Sequence, residues 1–298
     1  MAGELPPIDP SLHPIDPSLR IGAVHLAVGD VARSADFYEH VLGLPLISRE
    51  PEMALLGGDP ARPALVLIGL AHPTPVPVRS TGLFHVAWLH PSRPALAATI
   101  RRLATSRWPI TGASDHGVSE ALYLSDPDAL GIEIYVDRPR ERWQLDPDGD
   151  GVKMDTLPLD LDDLLASSDG EAGPARPAAM AVGHVHLKVA DVARASAFYR
   201  DALGFDEKAR LPGAAFLAAD GYHHHVGLNE WQSAGASTPP DSAPGLRSVE
   251  FELADGSALA ALQRRLSIFG PASPPVQSEP EGISVSDPDG DRLLFRSR

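Results

Sequence analysis

Val24-His25-Leu26-Ala27-Val28-Gly29-Asp30-Val31-Ala32-Arg33 returns later in the chain as Val185-His186-Leu187-Lys188-Val189-Ala190-Asp191-Val192-Ala193-Arg194. In each copy apolar residues alternate (Val24, Leu26 and Val28 in the first), the period of a strand with one buried face. An Asp able to cap a helix follows, and then an apolar stripe of Val31, Phe37, Val41 and Leu42. The repeat continues outward. Phe37-Tyr38 and Leu42-Gly43 return as Phe198-Tyr199 and Leu203-Gly204, Arg101-Arg102-Leu103 as Arg264-Arg265-Leu266, and Ser125-Asp126-Pro127-Asp128 as Ser286-Asp287-Pro288-Asp289. One ancestral half was duplicated. Each half reads as two similar modules, giving four at about 21–70, 82–136, 182–231 and 245–298, each a strand, a helix and roughly three strands. The pattern is βαβββ, four times.

Outside the repeat, residues 1–20 hold a tandem heptad, Pro7-Ile8-Asp9-Pro10-Ser11-Leu12-His13 and Pro14-Ile15-Asp16-Pro17-Ser18-Leu19-Arg20. Its prolines forbid helix and ladder alike, which predicts a flexible or loosely packed arm. The first half then covers 21–137 and the second 181–298. Between them, 138–180 reads as a connector rich in breakers, of which Leu157, Leu159, Leu161, Leu164 and Leu165 are too apolar for a free linker. Asp126-Pro127-Asp128 reads as a turn between strands.

The 298 residues carry 25 Lys plus Arg against 40 Asp plus Glu, a formal charge of −15. Such a surface argues against nucleic acid as partner. At 43% apolar content the chain can bury two ordinary cores, so it is globular. It lacks both a long apolar run and a secretory leader pattern, so the expectation is a soluble cytoplasmic protein without membrane contact. With no cysteine, any metal must be held by His and carboxylates.

The module pattern resembles the vicinal oxygen chelate superfamily of glyoxalases, bleomycin resistance proteins and extradiol dioxygenases. The resemblance also rests on Gly183-His184-Val185-His186-Leu187, on Gly221-Tyr222-His223-His224-His225-Val226-Gly227-Leu228-Asn229, and on Asp126-Pro127-Asp128 leading to Gly131-Ile132-Glu133-Ile134-Tyr135. It covers about residues 21 to 298 and is nearest to the catechol 2,3-dioxygenase branch. It implies an α+β fold of four βαβββ modules paired into two cup-shaped mixed sheets, with helices outside. It also implies subunits pairing along exposed sheet edges as a homo-oligomer.

Two His and one carboxylate on one face of an Fe(II) ion leave adjacent positions open for a bidentate diol and O2. His85 lies in the opening strand of module two and Glu133 in its closing strand. A carboxylate between Ile132, Ile134 and Tyr135 is costly to bury unless paired or coordinating a cation. The third ligand has two claimants at equivalent positions, His25 of module one and His186 of module three. In the resembled dioxygenases an acid/base His lies on the last strand of the module that supplies the first metal His. That position falls in Tyr222-His223-His224-His225, whereas module one has Ala64-Leu65-Val66-Leu67-Ile68 there. Module three is therefore paired with module two, and the expected ligands are His85, Glu133 and His186. Module four has Ser248 and Leu294 where module two has His85 and Glu133, so a second site is not expected. His184 shares the strand face of His186 and could support it.

Three consecutive histidines in a strand alternate faces, which would point His224 away from His223 and His225. The resemblance makes His224 the acid/base, with His223 or His225 as fallback, and implies that Tyr123 hydrogen-bonds a substrate oxygen. His116, on a loop reaching over the site, is a further candidate for binding substrate, and Asn229 and Trp231 for lining the mouth. The implied activity is an extradiol dioxygenase that inserts O2 into a small aromatic diol at Fe(II), with Mn(II) as the alternative ion. Its rivals are a glyoxalase-type isomerase or lyase, which usually wants more than one carboxylate at the metal, and a metal-free ligand-binding protein.

Overall fold

The structure is a computed structural model and describes residues 14–145, 151–167, 180–268 and 275–298. Module one comprises β1 (Arg20–Val28), α1 (Val31–Asp36), β2 (Leu46–Glu50), β3 (Met53–Leu56) and β4 (Leu65–Gly69). Module two comprises β5 (Gly82–Leu89), α2 (Arg93–Ser106), β6 (Ile110–Asp115), β7 (Ser119–Ser125) and β8 (Gly131–Asp137). A short helix, α3 (Leu161–Ala166), lies in the connector. Module three follows with β9 (Ala181–Lys188), α4 (Val192–Ala197), β10 (Asp206–Leu211), β11 (Ala214–Ala218) and β12 (Val226–Asn229). Module four is β13 (Gly245–Leu253), α5 (Gly256–Ile268), β14 (Gln277–Glu279), β15 (Gly282–Ser286) and β16 (Arg292–Ser297).

The repeated stretch folds as its local chemistry dictates. Asp30 caps α1 by accepting from the Arg33 amide, and Asp191 caps α4 by accepting from the Arg194 amide. Each helix runs into a π-helical turn, Phe37–Leu42 or Phe198–Leu203, and stops at a left-handed glycine, Gly43 (φ 93°) or Gly204 (φ 91°). Val24, Leu26 and Val28 of β1 are fully buried, as are Val185 and Leu187 of β9.

The sixteen strands form two eight-stranded mixed sheets, ordered β14-β15-β16-β13-β1-β4-β3-β2 and β10-β11-β12-β9-β5-β8-β7-β6. Module one joins module four through antiparallel β1 and β13, and module two joins module three through antiparallel β5 and β9. Each sheet thus takes one module from each half. The boundaries 21–137 and 181–298 mark the sequence repeat, while the sheets cut across it. One large core, to which both sheets and the helices contribute, holds Val24, Trp88, Leu187, Phe251 and Phe295.

Cross-module clamps follow the same repeat. The Tyr38 hydroxyl donates to Asp126 at 3.2 Å and the Tyr199 hydroxyl to Asp287 at 3.3 Å, while Arg33 holds Asp128 and Arg194 holds Asp289. Asp126 also accepts from the amides of Asp128 and Leu130, closing the turn.

The arm departs from expectation. Its first heptad lies outside the described residues, but in the second Ile15 and Leu19 are buried. The Ile15 amide donates to the Gly204 carbonyl at 3.0 Å, and Asp16 accepts from the Ala254 amide. Proline excludes regular structure here without preventing apolar side chains from docking. In the connector Leu164 is buried and Leu159 and Leu165 pack against the core, whereas Leu157 is exposed. No helix among the described residues is long and apolar enough to cross a membrane.

Candidate metal centre

The inner face of the β10-to-β6 sheet carries the histidines, and strand register decides which of them meet. Glu133 of β8 stands beside Ala87 of β5, which stands opposite His184 of β9, and Tyr123 of β7 extends that row beside Glu133. The neighbouring row contains His85, His186, Gly227 and Phe216. The small side chain of Ala87 leaves space above itself, into which the longer side chains converge. Glu133 Oε2 lies 3.0 Å from His85 Nε2 and 3.2 Å from His184 Nε2. Donor atoms of His85, Glu133 and His184 all lie within 4.8 Å of one another, and the three residues are buried.

This grouping corrects the expected set in one member. His184, not His186, meets Glu133. Both share a strand face, but His186 stands one row away, with its ring 5.0 Å from that of His85. Its imidazole lies against the backbone of Gly227, where an added Cβ would meet the ring at 2.9 Å. A signal was available in the sequence. His184 precedes its helix cap Asp191 by seven residues, as His85 precedes its cap Ser92, whereas His186 precedes Asp191 by five. His25, the equivalent of His186, sits in the other sheet opposite Ser248 and meets Glu250 at 2.9 Å.

Burial opposes ionisation of Glu133, but the imidazoles of His184 and His85 hold its carboxyl well below the ordinary range. Burial likewise depresses His184, to about 4, even though Glu133 opposes the shift. An anionic carboxylate and a neutral imidazole are the forms that bind a metal. The approach of His85 Nε2 to Glu133 lacks hydrogen-bond geometry, so this buried nitrogen has no partner, and neither does His184 Nδ1. An orphaned His85 nitrogen and the His184 Nε2, both beside one carboxylate oxygen, fit a cation between them.

Beside the triad, His116 Nδ1 lies 2.7 Å from the Asp155 carbonyl and His116 Nε2 lies 2.7 Å from the Tyr123 hydroxyl. A carbonyl only accepts, so in the neutral ring Nδ1 donates to Asp155 and Nε2 accepts from Tyr123. Burial, and then the nearby Glu133 charge, push the Tyr123 hydroxyl pKa upward. His116 and Tyr123 are thus brought together at one edge of the site.

The histidine tract does not alternate. His223 and His224 lie in an irregular stretch before the β12 ladder, and they face each other, Nδ1 to Nδ1 at 2.8 Å. His223 Nε2 donates to Asp137 at 2.9 Å, which leaves its Nδ1 to accept from His224. His224 then keeps a lone pair on Nε2. Its ring centroid lies 4.0 Å from that of His184, and burial followed by the surrounding imidazoles holds it well below the ordinary histidine pKa. His225 instead accepts from the Ala219 amide.

Two features escaped the sequence. Asp137 orients His223 and also accepts from Tyr222, whose hydroxyl lies 2.8 Å from that of Tyr135. Phe84 is an extra residue in β5, where the ladder to β9 slips between Leu83 and His85. The bulge brings its ring to 5.3 Å from His85 and 5.1 Å from His186. With Phe216 and half-exposed Trp231 it walls His186 in aromatic surface. Asn229 lies wholly buried at the end of β12.

The glyoxalase/bleomycin resistance protein/dioxygenase superfamily model matches residues 20–134 and 181–294. The catechol-2,3-dioxygenase of Bacillus subtilis (strain 168) is 38% identical over 271 residues, which cover 90% of this chain and 93% of that one. A crystal structure from Bacillus subtilis subsp. subtilis str. 168 superimposes with a TM-score of 0.63 at 15% identity, covering 93% of this chain and 84% of the other. Glyoxalase I from Zea mays superimposes at 0.55 and 17% identity, covering 94% and 92%. The two structural likenesses speak for the fold. Together with the duplicated βαβββ modules and the buried His/Glu cluster, these matches establish that the chain belongs to the glyoxalase/bleomycin resistance protein/dioxygenase superfamily.

Proposed function

We propose that the chain is an extradiol ring-cleaving dioxygenase, acting on a catechol-type diol with Fe(II) held by His85, Glu133 and His184. Mn(II) is the alternative ion for the same donors. The observation that carries the reading is the convergence of two imidazoles and one carboxylate beside Tyr123 and under an aromatic wall. The similarity to a catechol-2,3-dioxygenase supports it. Two nitrogens and one oxygen suit iron(II), which supplies Lewis acidity toward the diol and one-electron chemistry toward O2.

The protein's own residues do the rest. Phe84, His186 and Trp231 bind the flat apolar ring and exclude water from it. His224, with its free Nε2, takes a proton as the diol binds and returns it when the ring opens. Asp137 acts through His223 to keep His224 in that tautomer. Tyr123, steered by His116, orients a substrate oxygen. Cleavage beside the hydroxyls yields a hydroxymuconic semialdehyde-type product that retains both atoms of O2. A glyoxalase-type isomerase would draw on a second carboxylate, and Glu133 is the sole one in the donor group among the described residues. The reaction needs only a small diol and O2, consistent with a cytoplasmic enzyme that touches neither nucleic acid nor membrane.

The test is anaerobic loading with Fe(II), measurement of iron per chain, and oxygen uptake on adding catechol. One iron per chain and one O2 consumed per diol is the expected result. Tight iron binding with no oxygen uptake on any catechol would overturn the reading.

A further inference from the structure

A cavity of about 660 Å³ is lined by residues of both sheets. It is lined by His85, Tyr123 and Phe84 and also by Lys188, Asp291 and Arg247. Lys188 is the last residue of β9 and has the same parity as His184 and His186, so it faces the same side of the sheet. It stands four residues beyond His184, about 13 Å of strand at ~3.3 Å per residue. A diol ring bearing a group on its far side, together with the lysine side chain, bridges that distance.

The charges around Lys188 leave it unanswered. Its ammonium has neither a hydrogen-bond nor an ion-pair partner among the described residues, and burial pulls its pKa down, against Asp291. Asp291 is itself pushed well above the ordinary carboxyl range by burial, then by Asp287 and Asp289, with Lys188 opposing the shift. Its Oδ2 has no partner. Asp128 is committed to Arg33 and to the Gly29 amide. Arg247 spends its guanidinium on the carbonyls of Leu246, Asp241 and Ala243. In a chain of net charge −15, a half-buried lysine with no ion pair, lining the same cavity as His85, suits an anionic group of a bound molecule.

We propose that Lys188 receives an anionic substituent on the ring of the diol, so that carboxylated catechols are preferred over catechol itself. This rests on the extradiol reading above and names the substrate class of that site.

The experiment measures binding of 3,4-dihydroxyphenylacetate and of catechol to the Fe(II)-loaded protein without oxygen, by calorimetry, and then oxygen uptake with each. The unmodified protein should bind the carboxylated diol at least tenfold more tightly. Lys188→Met should shrink that ratio by about ten- to a hundredfold, the effect of losing a charge-assisted hydrogen bond, and Lys188→Arg should restore most of it. A ratio near one in the unmodified protein, or one that Lys188→Met leaves unmoved, overturns the subsite. If catechol still supports oxygen uptake in that case, the extradiol reading survives. If the iron-loaded protein binds and consumes neither diol, both fall.

Discussion

The register of β9 can be tested by exchanging the fates of its two histidines. If His184 and not His186 completes the metal set, His184→Ala should abolish tight iron binding and His186→Ala should keep it. The magnitude follows from the site. Changing a residue that only supports a ligand typically lowers metal affinity 10- to 100-fold, so losing one ligand of three should cost at least a hundredfold, about 2.7 kcal/mol. Iron at a hundred times its dissociation constant should stabilise the folded protein by about 2.7 kcal/mol, and that gain should vanish in His184→Ala. The metal-free variant should itself start lower by about 1–3 kcal/mol, because buried Glu133 loses one of the imidazoles that hold its charge. Anaerobic thermal unfolding with and without Fe(II), with metal content measured after gel filtration, reads both effects. An iron-dependent gain that persists in His184→Ala and disappears in His186→Ala would refute the reasoning from strand register.

Other consequences can be checked on the same protein. His224→Ala should retain iron and diol binding while turnover falls about two to four orders of magnitude; Asp137→Asn should lower turnover less and leave iron content unchanged, both read by oxygen uptake. Gly227→Ala places a Cβ 2.9 Å from the His186 ring and should destabilise by about 1–3 kcal/mol, measured as a lower urea midpoint at unchanged slope. Asp126 is raised from 3.8 to about 6, by burial first and by the Asp128 charge. A carboxyl raised in the folded state favours folding while protonated. Its contribution is therefore full below about pH 4, is lost as the pH rises through 6, and amounts to about 3 kcal/mol. Urea unfolding of the unmodified protein should show that loss more strongly than Asp126→Asn does, and identical pH slopes would exclude it.

Much of this protein could be read along the chain, because the signals involved are local. Alternation at Val24, Leu26 and Val28, an Asp cap and a Gly stop each depend on a few neighbouring residues, and they recur on schedule in both halves. The pairing of module two with module three followed from the resemblance, which asks for an acid/base His on a closing strand that module one lacks, and the sheet order agrees. His85 and Glu133 stood out as ionisable residues on their strands. A carboxylate among Ile132, Ile134 and Tyr135 needs a partner wherever the strand goes.

The tertiary structure decided what alternation leaves degenerate. His184 and His186 have the same parity, so period two cannot choose between them. The choice depends on which of them stands opposite Ala87, and two bulges set that register, at Phe84 in β5 and at Gly183 in β9. Gly183 is tolerated there because the Tyr135 hydroxyl occupies the place of a side chain. The histidine tract resisted for a related reason. His223 and His224 precede the ladder, where pleat rules lapse and the contact of His223 with Asp137 from another module sets the orientation. The second heptad is likewise ordered by Gly204 and Ala254, residues far along the chain. Contacts between distant segments set each of these outcomes, and no local period encodes them.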